Sequence, residues 1–134
     1  MFCLFSDIDP RCGGTLLVEG SGRLLEQWYA EVAPDPARKQ RSIFRQFVSG
    51  HPFLRRLTGI DPTADDPCEL FGPYTDDRGT LRVTEISGRA GDVFVCHSNL
   101  LHAAPVHTGT QPRFLAVRGL GPDPVPARRS PAAL

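Results

Sequence analysis

The chain has 134 residues, 40% of them hydrophobic, which suits one domain with a real core. Its 15 basic residues balance 15 acidic ones, so charge makes no case for nucleic acid or an anionic membrane as a partner. No run of about 18 apolar residues exists to span a membrane, and the opening MFCLFSDID lacks the basic flank and long apolar segment of a signal peptide, which points to the cytoplasm.

Met1 to Asp7 is apolar and β-prone through Phe2, Leu4 and Phe5, and reads as a strand. Asp9 to Gly14 reads as a turn, because a proline and a glycine pair interrupt regular structure. Thr15 to Glu19 reads as a second strand, and the two runs are expected to form a hairpin. Ser21 is a candidate cap for a helix from about Gly22 to Ala33, with Leu24, Leu25, Trp28, Tyr29 and Val32 at helical spacing. Pro34 stops that helix, and Asp35 with Pro36 starts a second one that runs to about Ser49. Its apolar stripe is Ile43, Phe44, Phe47 and Val48, and Gly50 ends it. His51-Pro52 opens a short helical turn through Leu57.

Gly59 to Gly79 is rich in Asp, Pro and Gly, shows no periodicity and reads as a surface loop. Thr80 to Ser87, Asp92 to His97, Leu100 to Ala104 and Arg113 to Arg118 read as strands. The last stretch, 120–134, is Pro- and Ala-rich and reads as an extended tail. Many short strands with Gly-rich turns and one helical insertion predict a mainly β fold, a β-sandwich or jelly-roll. Cys3, Cys12, Cys68 and Cys96 form no CxxC pair and read as reduced, mostly buried thiols.

Three of the four histidines, His97, His102 and His107, fall between Gly91 and Arg113. His102 is followed by Ala103 and Ala104, which leave room beside it, and Arg113 opens the next strand past a turn of Thr108, Gly109 and Thr110. Neighbouring strands joined by that turn would bring His102 and Arg113 to one small ligand. Neutral imidazole binds a divalent metal, and arginine grips a carboxylate with two parallel hydrogen bonds. Strand parity puts Arg113 on the face of Leu115 and Val117 and Arg118 on the other, and an inward arginine needs an anionic partner, a ligand or a structural carboxylate. His97 is the competing ligand candidate or a plain strand-end residue, His107 lies in the turn, and His51 reads as structural.

The stretch GDVFVCHSNLLHAAPVHTGTQPRFL resembles the C-terminal motif of the phytanoyl-CoA dioxygenase-like branch of Fe(II)/2-oxoglutarate-dependent oxygenases. That motif is Gly-Asp, an apolar strand, a histidine, and an arginine ten or eleven residues on. Gly13-Gly14-Thr15 and the segment to Arg23 resemble the family's Gly-Gly-Thr strand and its Pro-Gly-Ser-His-Arg, with Glu19 where the family has proline and Gly22 where it has histidine. The resemblance covers roughly Met1 to Gly119. It implies a double-stranded β-helix (a jelly-roll), with His102 as the distal histidine ligand of Fe(II) and Arg113 on the distal carboxylate of 2-oxoglutarate. It further implies hydroxylation of a small organic or lipid-like substrate.

The family's remaining ligands come from a His-x-Asp motif, and this sequence has none: the residues two after its histidines are Phe53, Asn99, Ala104 and Gly109. The expectation is therefore an N-terminally incomplete jelly-roll domain over 1–119, with a helical insertion at about 22–57 and the 120–134 tail. It is either part of a longer dioxygenase or a metal-free remnant that binds a small molecule or anion. A cupin-like isomerase or sugar-binding module on the same barrel would also want more than one histidine ligand.

Overall fold

The computed structural model describes residues 1–32, 40–61 and 70–121. The second helix's expected start at Asp35-Pro36, the 62–69 part of the Gly59–Gly79 loop and the tail from residue 122 lie outside the described residues. Within them the chain forms a mixed α/β domain of two antiparallel sheets and three helices. In order these are β1 (Phe2–Leu4), β2 (Leu16–Glu19), α1 (Ser21–Val32), α2 (Gln40–Ser49), α3 (Pro52–Leu57), β3 (Tyr74–Asp76), β4 (Gly79–Glu85), β5 (Val93–Phe94), β6 (His102–Ala103) and β7 (Leu115–Val117).

One sheet has the order β5-β1-β7, the other β3-β4-β2-β6. The expected hairpin of the first two strands does not form. β1 pairs with β5 and β7, whereas β2 pairs with β4 and β6, so residues 5–15 carry the chain from one sheet to the other. The Gly59–Gly79 loop is also shorter than its composition suggests. Tyr74 to Asp76 pairs with Gly79 to Leu81 as a hairpin, Tyr74 opposite Leu81. Asp76 Oδ1 accepts the Arg78 N–H at 3.0 Å, the local side-chain bond that makes Asp a turn former.

Two apolar clusters arrange the layers. In the first, Leu24, Trp28, Ile43, Phe47, Phe53 and Leu54 of the helices pack on Val18, Leu81 and Val83 of the four-stranded sheet. In the second, Phe2, Leu4, Ile8 and Ile86 fill the space between the sheets, with Leu17, Phe94 and Leu115 against them. Strand parity explains the split: Leu16 and Val18 go to the helices, and Leu17 between them goes to the other sheet. The helical stripes are narrower than the sequence pattern suggests, since Tyr29, Val32 and Phe44 are exposed. The outward face of the three-stranded sheet is apolar and bare, with Phe5, Val93, Val95 and Phe114 all more than half exposed.

The N-terminal loop is held by one carboxylate. Glu85 Oε1 accepts the N–H groups of Gly13 (2.8 Å) and Gly14, and Oε2 accepts that of Arg11. Arg11 and Gly13 both have positive φ, 64° and 89°. A Cβ at Gly13 would lie 2.7 Å from the His107 backbone, so this glycine is needed for space as well as for conformation.

His51 precedes α3 and is buried against Tyr74, with ring centroids 5.6 Å apart. Its Nε2 lies 3.2 Å from Asp76 Oδ2 but off the line of a hydrogen bond, so neither ring nitrogen has a hydrogen-bond partner among the described residues. Burial pushes the His51 pKa below its usual 6.5, against the pull of the Asp76 carboxylate, and Arg78 lowers it further. The unfolded chain therefore binds the extra proton first as pH falls. Stability contributed by neutral His51 is complete above about pH 6.5 and lost as pH falls through the lower folded value. Urea midpoints should fall on acidification through that window with a slope of at most about 1.4 kcal/mol per pH unit for this proton. His51→Phe should flatten that slope; an unchanged slope would mean other groups set it.

Candidate functional site

The site is built by the two strands that flank the gap between the sheets. β6 is short, but two hydrogen bonds at Leu101 and the pairing of His102 with β2 fix it. Val18 N donates to Leu101 O at 2.9 Å, Leu101 N donates to Ser21 Oγ at 2.9 Å, and His102 pairs with Leu17 in register. Ser21 is fully buried at the first position of α1. Its hydroxyl serves β6 instead of capping the helix, which corrects the role its residue type suggested. Because Leu101 packs with the helical cluster, parity turns His102 to the opposite face, toward Phe2 of β1. The two rings meet edge to face at 5.6 Å, across the two sheets. Ser21→Ala should cost about 1–2 kcal/mol, because it leaves the Leu101 N–H unpaired. Faster amide exchange at Leu101 and His102 would show that β6 had loosened, and unchanged exchange would remove Ser21 from this role.

His102 Nδ1 lies 3.1 Å from the Leu100 carbonyl oxygen. A carbonyl only accepts, so Nδ1 carries the proton, and in neutral imidazole Nε2 is a bare lone pair. A backbone carbonyl that fixes one ring nitrogen in this way is what orients a ligating histidine.

Arg113 lies just before β7. Leu115 pairs with Leu4, and Val117 with Phe2, whose side chains are buried between the sheets, so parity aims Arg113 the same way. Its Nη2 donates to Pro105 O at 3.4 Å, a long bond. Its Nη1 is buried with no hydrogen-bond partner among the described residues. Among the described residues no carboxylate lies within ion-pair distance of it, so the expected structural partner is not there.

His102 and Arg113 line the same open cavity of about 300 Å³. Phe2, Leu115 and Val117 form its apolar wall, the small residues Ala103 and Ala104 widen it, and Thr15 adds a hydroxyl. Its size falls at the lower end for small-molecule sites. Arg113 also borders a smaller cavity of about 70 Å³, shared with Asp7, Asp9, Cys12 and His107. Arg113 thus borders two cavities, one with a mainly apolar lining and one that includes two aspartates.

The other histidines stand elsewhere. His97 is exposed on the α1 side, 3.9 Å from Glu26 Oε1, and its Nδ1 accepts the Asn99 N–H at 3.3 Å. His107 Nδ1 donates to Cys12 O at 2.6 Å and so ties the turn to the N-terminal loop. Cys3, Cys12 and Cys96 are free thiols of intermediate exposure, and Cys68 lies outside the described residues.

An iron site of the implied family needs a second histidine and a carboxylate beside His102. The lining of the His102 cavity contains neither, and no group of three or more His, Cys, Asp or Glu among the described residues could hold a metal. The residues present do not fit a facial triad. Arg113 is the one lining residue suited to a carboxylate, since its Nη1 has no hydrogen-bond partner among the described residues. Sequence patterns missed Thr15, Ser21 and Glu85. Nothing in the pattern of Arg11-Cys12-Gly13 signals the acceptor that this loop uses.

No helix among the described residues is long and apolar enough to cross a membrane. Compared with models of protein families, with curated proteins and with solved structures, the chain finds no match.

Proposed function

We propose that the chain has the lineage of the phytanoyl-CoA dioxygenase-like Fe(II)/2-oxoglutarate oxygenases, and that with the residues described it works as a small-carboxylate binder. The observation that carries this reading is the unpaired, buried Nη1 of Arg113 in a cavity it shares with His102. A guanidinium nitrogen buried without an acceptor is costly, and a carboxylate that draws the half-buried Arg113 side chain toward the cavity would remove that cost. The topology supports the lineage. From β4 onward successive strands alternate between the sheets, β4 in one, β5 in the other, then β6 and β7 in turn, as in a jelly-roll.

A second reading, an active dioxygenase that hydroxylates a small organic or lipid-like molecule, is favoured by the bare Nε2 that the Leu100 carbonyl imposes on His102. In that reading His102 would be one iron ligand and Arg113 would meet 2-oxoglutarate, and the second histidine would have to come from a longer protein, since all four histidines of this sequence are among the described residues. One titration separates the two. Calorimetry with 2-oxoglutarate and with isocaproate, in EDTA and again in anaerobic Fe(II), should give carboxylate affinities that iron leaves within about twofold. Iron-dependent tightening together with aerobic succinate formation from 2-oxoglutarate would establish the oxygenase instead. No binding of any carboxylate would remove both.

A further inference from the structure

The cavity that contains Arg113 and His102 carries more information than an anion anchor. Arg113 is the one arginine or lysine in its lining, and Phe2, Leu115 and Val117 form an apolar wall beside it. A dicarboxylate placed on Arg113 would press its second carboxylate against that wall, where no cation answers it. An acid with an apolar body would instead cover the wall, including Val117, which is now largely exposed. The remaining polar groups are also specific. With Nδ1 committed to Leu100 O, neutral His102 presents Nε2 as an acceptor and calls for a donor on the ligand. Thr15 can accept or donate, so it adds no preference.

We infer that the cavity selects a small apolar monocarboxylic acid bearing a hydroxyl, with the carboxylate on Arg113 and the hydroxyl donating to His102 Nε2, and that it does so without metal. This rests on the reading that Arg113 anchors a carboxylate. It differs from the 2-oxoglutarate preference of the resembling family, because the lining of this cavity offers one cation and an apolar wall.

The test uses the full chain in EDTA and measures calorimetric affinities for 2-hydroxyisocaproate, its 3-hydroxy isomer, isocaproate, isocaproamide and 2-oxoglutarate. One hydroxy isomer should bind tightest. Isocaproate should bind about tenfold more weakly, for loss of one hydrogen bond. For 2-oxoglutarate the drop should be about tenfold or more, for the unanswered carboxylate. Isocaproamide, which lacks the charge, should not bind measurably. His102→Ala should bring the ratio of hydroxy-acid to isocaproate affinity from about tenfold to about one, whatever its effect on isocaproate itself, a pattern that general destabilisation would not produce. If 2-oxoglutarate binds as tightly as either hydroxy acid, or if the preference survives in His102→Ala, the inference fails while the carboxylate anchor stands. If no acid in the panel binds, both fail.

Discussion

Replacing Arg113 with glutamine should abolish carboxylate binding and yet leave the ligand-free protein as stable as before, or more so. Arg113 has one long bond to Pro105 O, and its Nη1 is buried and unpaired, so the folded protein carries a guanidinium that its own residues do not satisfy. Removing an unsatisfied half-buried charge relieves desolvation, and glutamine keeps a donor and most of the stem. Each charge-assisted hydrogen bond lost is worth about 1.5–3 kcal/mol, so loss of a two-bond grip should weaken binding by about a hundredfold or more. Urea unfolding with and without isocaproate reads both effects. The wild type should gain stability from ligand, and Arg113→Gln should gain none. A variant that unfolds more easily without ligand would show instead that Arg113 is a structural residue.

The second large effect lies in the helical layer. Phe53 is 2% exposed and stacks on Tyr74, with centroids 5.0 Å apart and planes 19° from parallel. It joins α3 to the β3–β4 hairpin, and Phe53→Ala should cost about 3–5 kcal/mol, as for other buried aromatic truncations. On a small domain that is a large share of total stability. Phe5→Ala is the matched control, because Phe5 is 68% exposed and should change stability by less than about 0.5 kcal/mol. Equal costs for the two would mean that something covers the outer face of the three-stranded sheet in solution.

These two residues mark what could be read in advance. The inward direction of Arg113 was legible because strand parity is local and Leu115 and Val117 share its face, but His102 reaches the same cavity from the other sheet and not from a neighbouring strand. The helices were legible from the spacing of Leu24 with Trp28 and of Ile43 with Phe47. The sheet assignment was not. Phe2–Leu4 and Leu16–Glu19 look like any hairpin, and only long-range pairing with β7 and β4 separates them. Tyr74 was hidden in a polar stretch because its stabilising partners, Phe53 and His51, are about twenty residues away in the sequence. Ser21 was read as a helix cap since its residue type favours that local use, and its bond to Leu101 spans 80 positions. The carboxylate role of Glu85 was equally out of reach, because its partners lie more than 70 residues before it.

The most direct test of the central claim is to map amide chemical shifts of the full chain as isocaproate is added in EDTA. The account predicts saturable shifts at Thr15, Ala103, Ala104, Arg113 and Leu115, all at the cavity, and none of these in Arg113→Gln. Saturable shifts elsewhere, such as around Arg23 and Arg78 at the far polar pocket, or no shifts at all, would contradict the assignment of this cavity as the functional site.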